Sequence, residues 1–245
     1  MQPAHVMEKN LAEMKIIQEM ISTEKTYNET LALLDRAFSA DKKTQTNPTF
    51  SSLQSLIVQL KDVSDKLLLN VTTALAEETD LDKRQTLQIQ RTQLFKAFFV
   101  AYRAYAPLFK NYLVLADNHK ELLNDVESFI AKNSDKKFRL SDYLSEPFQR
   151  GPRYSLLVFE ALKRSEGLPQ RNIEELDGLY AFIKEAIHDV NSSMPVAARG
   201  YQLGDCTRYL FAAVCSKLRN TPEGSVPAST LTASETTSFG NSSTI

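Results

Sequence analysis

A chain of 245 residues that is 42% hydrophobic can build a sizeable core, and a formal net charge of −1 removes the sequence-independent phosphate attraction on which nucleic-acid binders rely. Its seven glycines include none before Gly151, which excludes glycine-rich phosphate loops and Asn-Gly hairpins from most of the chain and predicts an all-α protein. Cys206 and Cys215 are too few for a disulfide framework, and nine residues along a helix would hold them about 13.5 Å apart, beyond bridging distance.

The N-terminus, MQPAHVMEKN, lacks the basic region and apolar core of a signal peptide. A helical period then predicts a first helix over 7–38, with Ile17, Met20, Ile21, Tyr27, Leu31, Leu34 and Phe38 on one stripe. Glu24 falls inside that stripe, where a carboxylate is expensive unless it is paired. Two readings stay open for it: a salt bridge to Arg150 or Arg153, and a contact with a partner's surface. The segment DKKTQTNP reads as a polar loop closed by Pro48, after which Phe50, Leu53, Leu56, Ile57, Leu60, Val63 and Leu67 restart the helical period. Residues 76–84 are charged and read as a turn. A helix is expected over 88–105, with Leu94, Phe95, Phe98, Phe99 and Tyr102 inside, and another over 108–130 beyond a kink at Pro107. The apolar run AFFVAY is cut by Arg103, well short of the ~20 residues a membrane span needs. AKNSDKKFR follows as a basic loop.

The most informative stretch is LSDYLSEPFQRGPRYSLLVFEALK, where a helical register runs through two prolines. Leu140, Tyr143, Leu144, Pro147 and Phe148 share one stripe, which Tyr154, Leu157, Val158, Ala161 and Leu162 resume. An interior proline costs about 3 kcal/mol, so two within six residues require a structural or functional reason. Glu146, Gln149, Arg150 and Arg153 fall on one side of this kinked helix and are expected to form an exposed polar face. EGLPQRN is a connection punctuated by Gly167 and Pro169, and a helix follows over 173–194. Asn191 lies at the edge of its stripe, beside Ile187 and Met194, as a helix-to-helix hydrogen bond or a binding contact. A shorter helix is expected over 203–218. From 220 to 245 the chain turns to Ser, Thr, Pro and Gly and is expected to be disordered. No fixed-period repeat or sustained heptad occurs. His5, His119 and His188 are scattered, no metal-ligand spacing occurs, and nucleophile-elbow, Walker and kinase motifs are missing. Neither a metal site nor a catalytic residue for covalent chemistry is expected.

Several segments, in order, resemble the Dbl-homology domain, the exchange-factor module acting on Rho-family GTPases. IIQEMISTEKTYNETLALL resembles its first signature segment, a helix carrying T-E-x-x-Y, and PTFSSLQSLIVQLKDVSDKLL resembles the Phe-led helix that follows. FKAFFVAYRAYAPLFKNYLVLADN is similar in part to the second segment. YLSEPFQRGPRYSLLVFEALK is the strongest match, to Y-L-x-K-P-x-Q-R-x-P-R-Y followed by leucines, and IKEAIHDVNSSM resembles the closing helix with its asparagine.

The resemblance implies an elongated all-α helical bundle over 7–219 that works as a guanine-nucleotide exchange factor, without covalent chemistry and without a cofactor, by binding switch I and switch II of a Rho, Rac or cell-division-cycle-type GTPase. It implies GTPase contacts by Glu24 on switch I and by Asn191, Glu146, Gln149 and Arg150 on switch II, with Phe148 in a slot that selects among GTPases. As contacts, Glu24 and Asn191 are expected to be dispensable for stability. It also implies work in the cytoplasm on the actin cytoskeleton, with delivery of a bacterial protein into a host cell as a variant. Two features depart from the pattern. Glu146 stands where the family has lysine, which favours an alternative reading as a catalytically silent helical adaptor, and Gly151 stands where the family has Ile, Val or Leu. The residues after Met194 are too few for a C-terminal pleckstrin-homology domain, so none is expected, and no nucleic acid or transmembrane segment is expected either.

Overall fold

The computed structural model describes residues 4–76, 80–118, 120–136, 138–163, 165 and 169–193. The expected helix over 203–218, both cysteines and the tail over 220–245 lie outside them. Seven α-helices occur among the described residues, with no strand: α1 (Ala4–Ala40), α2 (Lys42–Thr46), α3 (Pro48–Ala76), α4 (Leu81–Asn118), α5 (Asn124–Asn133), α6 (Leu140–Lys163) and α7 (Gln170–Ser193). At 1.5 Å per residue, α1 and α4 are each about 55 Å long, which makes the bundle elongated. Among the described residues no helix is long and apolar enough to cross a membrane.

Local caps explain where the helices depart from the expected boundaries. The polar loop at 41–48 contains a turn of helix, because the Asp41 carboxylate accepts from the backbone N–H of Lys43 at 3.0 Å and of Thr44 at 3.2 Å. Asn47 then caps α3 by accepting from the N–H groups of Thr49 and Phe50, and Pro48 takes the first helical position, where its missing N–H costs nothing. Asp80 accepts from the N–H of Lys83, so α4 starts at Leu81 and not at 88. Pro107 sits on the exposed side of α4, which continues to Asn118. The helix expected over 108–130 is interrupted after Asn118 by a 3-10 turn, Lys120–Leu122, ahead of α5.

Helix α1 packs on α3, α3 on α4 and α4 on α7, while α6 lies against α1, α4 and α7. The core is aromatic where α4 meets α6. Phe148 sits 5.8, 5.4 and 5.0 Å from the rings of Tyr102, Tyr105 and Phe109, and Tyr154 lies 4.9 and 4.7 Å from Phe95 and Phe98. Each such pair contributes roughly 0.5–1.5 kcal/mol beyond the area it buries.

Helix α6 remains unbroken through Pro147 and Pro152, both of which are buried. Tyr105 donates its hydroxyl to the carbonyl of Leu144 at 2.9 Å, beside the Tyr143 carbonyl whose helical donor Pro147 removes. Gly151 has a packing reason: a Cβ there would stand 2.9 Å from Cε2 of Tyr102, whose ring is fixed by Phe98, Phe99 and Phe148. The branched side chain of the family pattern is replaced at this point by the tyrosine of α4. Gly151→Val is therefore expected to lower stability by about 1–3 kcal/mol through overpacking. In a Tyr102→Leu background the same substitution should cost much less, as measured by urea unfolding of the four proteins in the cycle.

Candidate functional site

Four contacts run down the seam between α1 and α6 and show the two helices to be antiparallel: Glu19 with Arg153, Thr23 with Arg150, Glu24 with Arg150, and Thr30 with Glu146. The polar side of α6 therefore faces α1 and not water, which corrects the expected exposed face. Of its four residues only Gln149 is exposed; Arg150 is buried, and Glu146 and Arg153 are half-buried.

Glu24 is 0% exposed and Arg150 4% exposed, and the two form a buried ion pair. The carboxylate also accepts from the Tyr154 hydroxyl at 2.6 Å and from the Ser64 hydroxyl at 2.5 Å, while Arg150 donates to the Thr23 hydroxyl at 2.9 Å. The guanidinium lies over the Tyr154 ring, 4.5 Å from its centroid. Burial works against the charge on Arg150, but Tyr154 and Glu24 outweigh it and hold its pKa above the ordinary value. Burial, with Glu24 adjoining, pushes the Tyr154 phenol well above its usual range, so it remains a donor. The expectation that Glu24 is dispensable for stability gives way here, because its carboxylate is the acceptor that holds α1, α3 and α6 together.

Glu146 accepts from the Thr30 hydroxyl at 3.3 Å. Burial raises its pKa, against the lowering influence of Lys136, of Thr30 and of Arg150. Phe148 is 2% exposed and lies inside the aromatic core, while Gln149, one residue further on, is open to solvent and donates to the Ser145 hydroxyl at 3.3 Å. Helices α6 and α7 form an antiparallel pair whose register is set by Phe159 stacked on Tyr180 at 5.3 Å. Eleven residues along α7 from Tyr180, Asn191 comes level with Phe148, eleven residues back along α6 from Phe159. Asn191 is half-buried and its Oδ1 is buried without a hydrogen-bond partner inside the chain. An unmatched acceptor of this kind costs about 1–3 kcal/mol unless a partner supplies a donor. One turn earlier, Asp189 and Glu185 hold Arg103 of α4 at 3.0 and 3.4 Å.

The structure thus brings Glu24, Glu146 and Arg150 into one seam, with Gln149 on its open rim, Phe148 beneath it and Asn191 across the α6–α7 junction. Thr23, Thr30, Ser64 and Tyr154 complete the arrangement and are absent from the sequence-based set. Ser64 carried a usable signal: it stands four residues after Leu60 and three before Leu67 on the buried stripe of α3, where Val63 was expected and is only half-buried. Among the described residues, no group of three or more His, Cys, Asp or Glu side chains is placed to hold a metal ion.

A family model described as the RhoGEF domain matches residues 16–191, a span that takes in all six expected site residues and ends on Asn191. The Rho guanine nucleotide exchange factor TIAM2 of Mus musculus and that of Homo sapiens are each 26% identical to the chain over 189 residues, covering 71% of it. The chain spans only 11% of the length of those relatives. Among solved structures, the DH domain of FARP2 superposes with a TM-score of 0.58 at 18% identity, covering 89% of this chain and 99% of that one. The complex of the PDZ-RhoGEF DH/PH domains with GTP-gamma-S activated RhoA gives a TM-score of 0.56 at 17% identity, covering 76% of this chain and 54% of that one. At these identities the two structures show the fold, which is that of the Dbl-homology domain.

Two consequences of the seam are measurable in the free protein. Glu24→Ala, by leaving Arg150 buried and unpaired, is expected to lower stability by about 3–5 kcal/mol, whereas Glu24→Leu with Arg150→Met should lose far less, as read by urea denaturation. For Glu146, a raised folded-state pKa means that the fold favours the protonated carboxyl, so the ionised form destabilises the protein above its folded pKa and the penalty disappears below about 4.5. Glu146→Gln should accordingly raise the melting temperature near neutral pH, and the gain should vanish when the pH is taken below the ordinary carboxylate range.

Proposed function

The chain belongs to the RhoGEF family, and from that premise we propose that it is a guanine-nucleotide exchange factor that binds switch I and switch II of a Rho-family GTPase and promotes GDP release. The observation that carries this reading is the unmatched Oδ1 of Asn191, which faces the same stretch of α6 that exposes Gln149. A buried acceptor without an internal donor is a cost that binding can recover, as expected of a contact residue and not of a packing residue. Gln149, Asn191 and the half-buried Glu146 are the direct contacts. Glu24 and Arg150 are positioning residues that fix α1 against α6, and Phe148 tunes the same surface from beneath through the α4 aromatics.

The energetics need no covalent chemistry and no cofactor. A protein that binds the nucleotide-free GTPase more tightly than the loaded form must weaken nucleotide binding by the same factor. Switch loops held by phosphate and magnesium contacts are the elements through which such binding acts. A thousandfold faster release requires a barrier lowered by about 4 kcal/mol. A second reading, a helical adaptor that keeps the fold without exchange, draws on Glu146, whose charge is partly buried on the proposed contact face.

Release of a fluorescent guanine nucleotide from Rho, Rac and cell-division-cycle-type GTPases tests this reading. At least one should be accelerated by the chain, and Asn191→Ala should lower that rate roughly tenfold, equivalent to about 1.4 kcal/mol, with no loss of thermal stability. Glu146→Lys should raise the rate by improving charge complementarity. Binding without acceleration on every GTPase would favour the adaptor.

A further inference from the structure

The loop that joins α5 to α6 has no part in the seam as described, yet it is built against it. Its 132–139 segment carries Lys132, Lys136, Lys137 and Arg139 against Asp135 alone, in a chain whose formal net charge is −1. The described part is pinned to α6 through Tyr143: the Ser134 and Tyr143 hydroxyls lie 2.5 Å apart, the backbone N–H of Lys136 donates to the Ser134 hydroxyl at 3.1 Å, and the Phe138 ring packs edge-on against Tyr143 at 5.7 Å. Tyr143 precedes Glu146 by three residues, so the anchor of the loop and the carboxylate are neighbours on one face of the helix. The Lys136 ammonium, exposed, stands 5.8 Å from the Phe138 ring centroid, and Phe138 itself is 51% exposed. Lys136 also acts on the Glu146 carboxylate more strongly than Arg150 does.

We propose that this loop is a second contact surface for the GTPase bound at the seam, in which Lys136 serves Glu146 as counter-ion and reads an acidic patch on the partner. The inference rests on the exchange-factor reading above. Covering Glu146 with a partner would strip water from a carboxylate that burial already disfavours, so a cation must remain beside it. Lys136 is that cation, held at the rim where its free side can meet a negative group, and the basic residues around it extend the same potential. Glu146 is then tolerated on the contact face because the positive charge is supplied from the loop ahead of the helix.

The test compares wild type, Lys136→Gln, Lys136→Glu and the exchange Lys136→Glu with Glu146→Lys. In the free protein, the Glu146 carboxyl followed by NMR should titrate at higher pH in Lys136→Gln than in wild type; an unchanged titration overturns the pairing whatever the chain binds. With a GTPase that wild type binds, Lys136→Glu should slow association roughly tenfold at low salt, an effect lost at high salt, and the double exchange should recover most of the rate. Equal association rates for wild type and Lys136→Glu overturn the proposal while leaving the exchange-factor reading intact, and failure of wild type to bind any GTPase overturns both. Loss of binding to vesicles containing phosphatidylserine in Lys136→Glu, with GTPase association unchanged, would assign the loop to a membrane and reject the proposal.

Discussion

The buried pair of Glu24 and Arg150 is the constraint on which the arrangement of the bundle's functional end depends. Both groups lie out of contact with water, and each is satisfied by groups on other elements: Ser64 from α3 and Tyr154 from α6 for the carboxylate, Thr23 from α1 for the guanidinium. Two buried charges of this kind contribute little net stability compared with an apolar pair of similar volume, but removal of either leaves an uncompensated ion. The pair therefore specifies register. It admits one alignment of α1 on α6, and with it one disposition of Glu146 against Thr30 and of Gln149 on the rim.

The aromatic wall of α4 supplies the second constraint and gives the double-proline helix its reason. The Tyr102 ring occupies the space over Gly151 and the Tyr105 hydroxyl reaches the Leu144 carbonyl, so the segment between Pro147 and Pro152 is shaped by what packs behind it. Phe148 belongs to that wall. Its influence on a bound partner passes through the position of the backbone that carries Gln149, which makes the packing of α4 a determinant of the contact surface.

Much of this was legible in the chain, and the parts that were not share a cause. The helical period of α6 survives its prolines because apolar residues keep the i, i+3, i+4 spacing on both sides of them, and Glu24 stood out as a carboxylate inside an apolar stripe, with Arg150 as one of two named partners. The exposure of the cluster around Glu146 was misread because a polar stripe has the same pattern whether water or a polar helix seam covers it. Phe148 was placed at a contact because its neighbours in sequence are polar, whereas its neighbours in space, Tyr102, Tyr105 and Phe109, come from another helix. The unexpected turn α2 and the early start of α4 rest on single carboxylate caps, Asp41 and Asp80, within charged segments that resemble loops. Lys136 gave no signal at all, since only the Ser134 to Tyr143 link brings the loop beside Glu146.

A surface with this layout acts by difference in affinity, as linkage requires of any protein that expels a ligand without chemical change. The central claim is that the face formed by α1, α6 and α7 prefers a GTPase whose nucleotide has left. Isothermal titration of the chain against one Rho-family GTPase, nucleotide-free and then loaded with GDP and magnesium, tests it most directly. The account predicts an affinity for the nucleotide-free form at least a hundredfold higher, equivalent to about 2.7 kcal/mol, and equal affinities for the two forms would contradict it.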